Sequence, residues 1–249
     1  MINYTIFNQS TVITTQNLQN MVKAINIFLV TVCNDWGLAP TQLVISTSGV
    51  HPNKSIYMMD DTDVDGALGY HDEINGKSYA KIFARTILNY GGVILYRDAH
   101  TFTVAQCLCH ELLEMMGNDE VSKWYLDNNG TMWAGELCDP VESNLILYTL
   151  PGNIKVGLSD YVLPSWFSPD TTTRPFNKLN TLTSPFTLDS GGYAIILVIE
   201  SGYIDTVYGS MLTGTQSLIS VNEKNIQKDM LELKNKYKLK SKISPMFKK

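Results

Sequence analysis

The sequence predicts an α+β domain on three features of the chain. Apolar residues recur at helical spacing in two stretches, 15–36 and about 101–116. Short strand-like runs, punctuated by Gly and Pro, lie around both. After the second helix the pattern turns to β, so the C-terminal half is β-rich. Of the 249 residues, 44% are hydrophobic and 17% charged, which specifies a packed core and excludes global disorder. No internal repeat divides the chain. One domain is expected over 1–220, with 221–249 a basic tail, helical or disordered.

Taken in order, Thr15 to Trp36 places Leu18, Met21, Val22, Ile25, Phe28, Leu29, Val32 and Trp36 three and four apart, one apolar helix face. Gly37 suits the C′ position and Pro40 forbids resumption. QLVIS and SIYMM read as strands. The acidic, turn-rich DDTDVDG leads into ALGYHDEINGKSYAKIFAR, where Asn75-Gly76 between two strand-like runs predicts a type I′ hairpin. VILYR reads as a further short strand. Thr101 is the expected N-cap of a helix reaching about Met116, with Gly117 its stop. TMWAGELC, SNLILYTL and YAIILVIE read as strands separated by Asp-Pro, Pro-Gly and Ser-Gly-Gly. The Pro- and Thr-rich LPSWFSPDTTTRPFNKLNTLTSP reads as a long surface loop.

No run of 18 apolar residues exists, so no membrane span is expected. MINYTIFNQS lacks a basic stretch followed by an apolar run, so no signal peptide is expected. Cys33, Cys107, Cys109 and Cys138 form no disulfide framework and are expected as reduced, buried thiols. The net charge of −5 is unevenly spread. Nine lysines from 224 to 249 against Asp229 and Glu232 give +7, leaving ten basic and 22 acidic residues, −12, elsewhere. Such a tail suits contact with nucleic acid or an acidic partner, or plain solvation.

The pattern that carries chemistry is CHELLEMMGNDE at 109–120. On a helix His110 and Glu114 project together, one turn apart, and Glu111 sits beside them. That is the layout of an H-E-x-x-H zinc site, two ligands with a general base next to them, except that Glu114 stands where the second histidine would be. His110 and Glu114 are therefore candidate zinc ligands and Glu111 the candidate catalytic base. A carboxylate ligand makes a bound water less acidic and moves the site toward harder metals. A third ligand comes from Glu120, ten residues past His110, or from GELCDPVE, which supplies Glu136, Asp139 and Glu142. The density of acids in that segment favours Glu136, then Asp139. So short a pattern also arises by chance on an ordinary helix. The flanks VAQCLC and LLEMM are apolar, however, so these charges sit on a mostly buried helix, and buried charges require partners or a metal.

This helix, the hairpin ALGYHDE…GKSYAKIFA before it, ELCDPVE after it, then LSDYVLPSWF and PFTLDSGGY together resemble a largely uncharacterised family of tailed phages and other large DNA viruses, over roughly residues 65–200. The basic tail is similar to that family too. The resemblance implies a zincin-like metallopeptidase fold: a mixed sheet with a backing helix, and an active-site helix beneath the sheet. It implies a viral genome but no particular substrate; the expected location is the host cytoplasm or the virion, and the expected partners are a peptide or protein substrate or other virion proteins. Asn118-Asp119 stands where the resemblance leads one to expect Asp-Pro.

Under the enzyme reading, His110, Glu114 and Glu136, with Asp139 as the alternative, hold zinc. Glu111 takes a proton from the attacking water, and Leu68, Gly69, Tyr70 and His71 bind an extended peptide by strand addition. The rival reading is a catalytically inactive virion structural or cargo protein on the same scaffold.

Two other patterns compete. Asp61, Asp63, Asp65 and Gly66 form D-x-D-x-D-G, the first half of a calcium loop, but position twelve is Asp72 and the flanks read as strands, so an acidic turn is the plainer reading. Cys107, Cys109, His110 and Cys138 lack the C-x-x-C spacing of a thiolate site. His71 alternates with Tyr70 along a strand. It either faces the substrate groove or is a satisfied or exposed histidine.

Overall fold

A computed structural model describes residues 1–209. The domain end expected at 220 and the tail at 221–249 lie outside the described residues. The main sheet has five strands, β1 (Ile2–Asn8), β2 (Thr41–Ile45), β3 (Lys54–Met59), β4 (Gly69–Ile74) and β5 (Lys77–Phe83), in the order β2-β1-β3-β5-β4. All neighbours run parallel except β4, which pairs antiparallel to β5 at the edge. The fold is thus α+β around a mixed sheet.

Parallel β1 and β2 require a crossover, and α1 (Thr15–Trp36) supplies it. Its bounds follow from the sequence. The Thr14 hydroxyl accepts from the Asn17 amide at 3.1 Å, and Gly37 ends the helix at φ 61°. Asn26 ties α1 to β2 by bonding both the amide and the carbonyl of Leu43, at 2.8 and 2.9 Å. The β4–β5 turn has Asn75 and Gly76 at φ 56° and 77°, as a type I′ turn requires. A short helix, α2 (Ala84–Asn89), follows β5, and then comes α3 (Val104–Gly117).

Two expectations are corrected around α3. VILYR is not a strand; a single bridge joins Val93 to Thr103. Its carbonyls serve the helix instead, Val93 accepting from the Val104 amide at 2.9 Å and Ile94 from Ala105 at 3.1 Å. The first N–H groups of a helix have no partner within it, and this segment provides two. The N-cap is Thr103 rather than Thr101, its hydroxyl accepting from the Gln106 amide at 2.8 Å. The Thr101 hydroxyl is committed to Asp98 and Arg97.

Beyond α3 lie β6 (Trp124–Leu126) and β7 (Thr131–Ala134), then a hairpin of β8 (Leu145–Leu150) and β9 (Ile154–Ser159), then β10 (Tyr193–Val198) and β11 (Tyr203–Tyr208). The antiparallel order is β11-β10-β7-β6. The TMWAGELC strand stops at Ala134, and residues 139–141 form a 3₁₀ turn.

One apolar core unites Ile6, Leu43, Ile56 and Ile82 of the sheet with α1, α3 and Val156 and Leu158 of β9. All fourteen residues of α3 are buried, with β4 and β5 against one side and β9 against another. The Pro- and Thr-rich stretch is not a mere surface loop. It builds a second core from Trp166, Phe167, Phe176 and Leu182, against Val141 and Val162. Trp166 is fully buried and its indole N–H donates to the Thr187 carbonyl at 2.8 Å. The tryptophan and phenylalanines outweigh the loop-forming composition around them.

Candidate metal centre

Helix α3 presents its polar side chains along two adjoining stripes. Cys107, Glu111 and Glu114 face β4, while Gln106 and His110 face the segment 136–142. Glu114 lies one turn beyond both His110 and Glu111, so it stands where the stripes meet. Its Oε1 is 3.1 Å from His110 Nε2, and its Oε2 is 3.4 Å from His71 Nδ1 of β4.

The rest of the site closes from two sides. From β4, His71 places Nδ1 3.5 Å from Glu111 Oε2 and Nε2 3.6 Å from Glu136 Oε2. From the other side, Asp139 Oδ1 lies 3.2 Å from His110 Nε2, and Glu142 Oε2 lies 3.4 Å from His110 Nδ1. The 3₁₀ turn at 139–141 explains why Asp139 and Glu142 point the same way: three residues make one turn. Gln106 holds this segment by donating to the carbonyls of Glu142 and Asn144, at 3.1 and 3.3 Å. The side chains of both histidines and all five carboxylates are between 4% and 11% exposed, so none relies on bulk water.

Burial sets the ionisation. It pushes Glu136 up to about 7, and pushes Glu111, Asp139 and Glu142 upward as well. For Glu114 burial acts in the same direction, but His110 and His71 outweigh it and hold the carboxylate well below its ordinary range. For the two imidazoles burial disfavours the charge, and the surrounding carboxylates outweigh it and raise both well above the usual histidine value. The cluster therefore shares protons among groups that compete for them. His71 Nε2, Glu136 Oε2 and Asp139 Oδ1 are buried and make no hydrogen bond. A buried polar atom left in that way is costly unless something else meets it.

Three triads converge closely enough to hold one cation each: His71 with Glu114 and Glu136; His110 with Asp139 and Glu142; and His110 with Glu114 and Cys138. In each triad one donor atom per residue lies within 4.8 Å of the others, near enough for a single ion to draw them together. Cys138 is the soft member. Burial pushes its thiol up, and the thiol donates to the His110 carbonyl at 3.9 Å.

The structure gathers His110, Glu111, Glu114, Glu136 and Asp139 into one site. Glu120, the other candidate third ligand, is exposed and belongs to none of the converging groups among the described residues. Asn118 anchors the link after the helix. Its side-chain Oδ1 accepts from the amides of Ser122 and Lys123, both at 2.9 Å, and its side-chain amide donates to Glu136 Oε1 at 3.1 Å. Of the four residues on and before β4, Leu68 packs against the core and Tyr70 turns toward Asp63 and Lys81. Gly69 and His71 face α3. His71 thus joins the ionisable cluster itself, a role that strand alternation alone does not reveal. Asp61 pairs with Arg85 and Asp63 with Lys81, and the D-x-D-x-D-G loop is no converging group among the described residues. Tyr193 of β10 went unmarked in the sequence. Burial, together with Asp139 and Glu142, keeps its hydroxyl protonated beside the cluster.

No protein-family model, curated protein or solved structure matches the chain.

Proposed function

We propose that this chain is a metal-dependent hydrolase of zincin-like type that cleaves peptide bonds. The observation that carries the reading is the buried set of carboxylate and imidazole donors around α3, three of whose atoms have no hydrogen-bond partner. Zinc fits the donors, and harder first-row divalent ions fit them as well, because carboxylates outnumber imidazoles. A bound cation supplies Lewis-acid polarisation of the scissile carbonyl.

The residues of the chain supply the rest. Glu111 lies on the β4 side of the cluster, and burial raises its affinity for a proton. It takes the proton of the attacking water and returns it to the leaving amine. The Tyr193 hydroxyl, held protonated, donates a hydrogen bond into the site. β4 is the sheet edge beside the site, so an extended peptide can pair with it while its scissile bond reaches the cluster.

Elemental analysis of the purified protein tests the reading, followed by cleavage of a peptide library. Expected are bound zinc or another first-row metal, lost in Glu114→Ala, and cleavage that Glu111→Gln abolishes while retaining the metal. A wild-type protein that takes up no metal even when zinc is supplied would sink the proposal.

A further inference from the structure

We infer that the cluster is a dinuclear centre, two divalent cations bridged by the Glu114 carboxylate. The inference rests on the metal-centre reading above and changes its stoichiometry. Glu114 is the first ground. Its two oxygens face different imidazoles, Oε1 toward His110 at 3.1 Å and Oε2 toward His71 at 3.4 Å. A carboxylate that serves a single ion has no need of a histidine at each oxygen.

The second ground is that two of the three triads share no residue, while the third, His110 with Glu114 and Cys138, links them through Glu114. Of the two, one comprises His71, Glu114 and Glu136, the other His110, Asp139 and Glu142. No converging triad among the described residues contains both imidazoles. A hydrogen-bonded network of the same groups is the plain alternative. It leaves His71 Nε2 and Glu136 Oε2 of the first triad, and Asp139 Oδ1 of the second, buried without hydrogen bonds. Each half thus has at least one buried donor atom that makes no hydrogen bond and faces an oppositely charged group of the cluster, so each half points to a ligand of its own.

Charge gives the third ground. The ligand carboxylates Glu114, Glu136, Asp139 and Glu142 carry −4 when ionised. With Glu111 ionised as the base the five carboxylates carry −5, so one divalent cation leaves −3 in a site shielded from water and two leave −1. Buried charge of one sign is expensive, so the two-cation stoichiometry is favoured. Carboxylate-rich donors suit manganese, iron or cobalt in the divalent state as well as zinc.

The test is equilibrium titration of the chelator-stripped full-length protein with Mn²⁺, free ion being read by its electron paramagnetic resonance. The wild type should bind two equivalents per chain, and its bound-manganese spectrum should show exchange coupling. His71→Ala and His110→Ala should each bind one equivalent, uncoupled. Glu114→Gln should lose the coupling. Where an alanine variant does not fold by circular dichroism, Glu136→Gln replaces the first and Glu142→Gln the second. One equivalent in the wild type would overturn the dinuclear inference and leave the metal-centre reading standing. No binding of Mn²⁺ or Zn²⁺ would overturn both. Two uncoupled equivalents that survive the histidine substitutions would mark adventitious surface binding, and would equally overturn it.

Discussion

Gly69 shows how little room the cluster leaves. A methyl group there would lie 2.8 Å from Glu111 Oε1, 2.7 Å from Cys107 Sγ and 3.1 Å from the Lys81 carbonyl. The requirement is steric: β4 passes so close to α3 that a side chain at 69 must displace the Glu111 carboxylate, the Cys107 thiol or both. Gly69→Ala should lower peptide cleavage at least ~10-fold, leave bound metal unchanged, and cost about 1–3 kcal/mol through overpacking. The double variant with Cys107→Ala relieves one of the two side-chain clashes. It should recover part of the stability, read by urea unfolding, but not the activity. Full recovery of cleavage in the double variant would show that Glu111 was never displaced. The sequence placed Gly69 and His71 on one strand, but period-two alternation does not say which face meets a helix thirty residues later. That is why His71 was read mainly as a satisfied or exposed residue, with the groove as the lesser reading.

At the scale of elements, legibility followed the strength of local signals. α1 was readable to both ends because eight apolar residues fall on one face and Gly37 stops it. The β4–β5 hairpin was readable because Asn-Gly accepts positive φ at two successive positions. β1 was missed because its seven residues carry no turn signal before them, and β6 because it has only three. In the segment 136–142 the acids were visible as a cluster, but their common direction depends on a 3₁₀ turn that no local motif announces. Another joint is readable only in the structure. Asp60, just past β3, accepts from the Ser10 hydroxyl at 2.6 Å and from the Thr11 amide and hydroxyl at 2.9 and 2.7 Å, and it pairs with Arg85 of α2. It staples the β1–α1 loop to the end of β3 and the start of α2. The Ser10 and Thr11 hydrogen bonds hold its carboxyl down at about 2. A depressed folded pKa gives stability that is present above the unfolded value of ~4 and is lost as pH falls through the folded one. Asp60→Asn should therefore cost about 1 kcal/mol at neutral pH, a figure reduced for solvent access. The gap from wild type should narrow between pH ~4 and ~2, followed by urea unfolding across that range. A gap independent of pH would assign the loss to geometry instead of charge.

Across the whole molecule, the unusual choice is to run an ionisable helix through the interior. α3 is buried along its full length between β4 and β5 on one side and β9 on another, so five carboxylates and two imidazoles sit where a core would ordinarily place apolar side chains. The aromatic second core around Trp166 flanks the same region, because Val141 of the 3₁₀ turn belongs to it. Packing thus fixes Asp139 and Glu142 in place whether or not their charges are balanced. Repulsion among the carboxylates then acts against a scaffold that cannot spread to relieve it. Cation binding should consequently register as global stability. A site filled at a hundred times its dissociation constant adds about 2.7 kcal/mol. In a domain of this size that corresponds to a rise of roughly 5–10 °C in the thermal midpoint. Stripping the protein with a chelator should lower the midpoint by at least that amount, since each bound ion contributes, and restoring Mn²⁺ or Zn²⁺ should return it. The double variant His71→Ala/His110→Ala should melt at one temperature with or without the ion. A midpoint in the wild type that ignores both chelator and metal would mean that shared protons, rather than cations, balance the cluster.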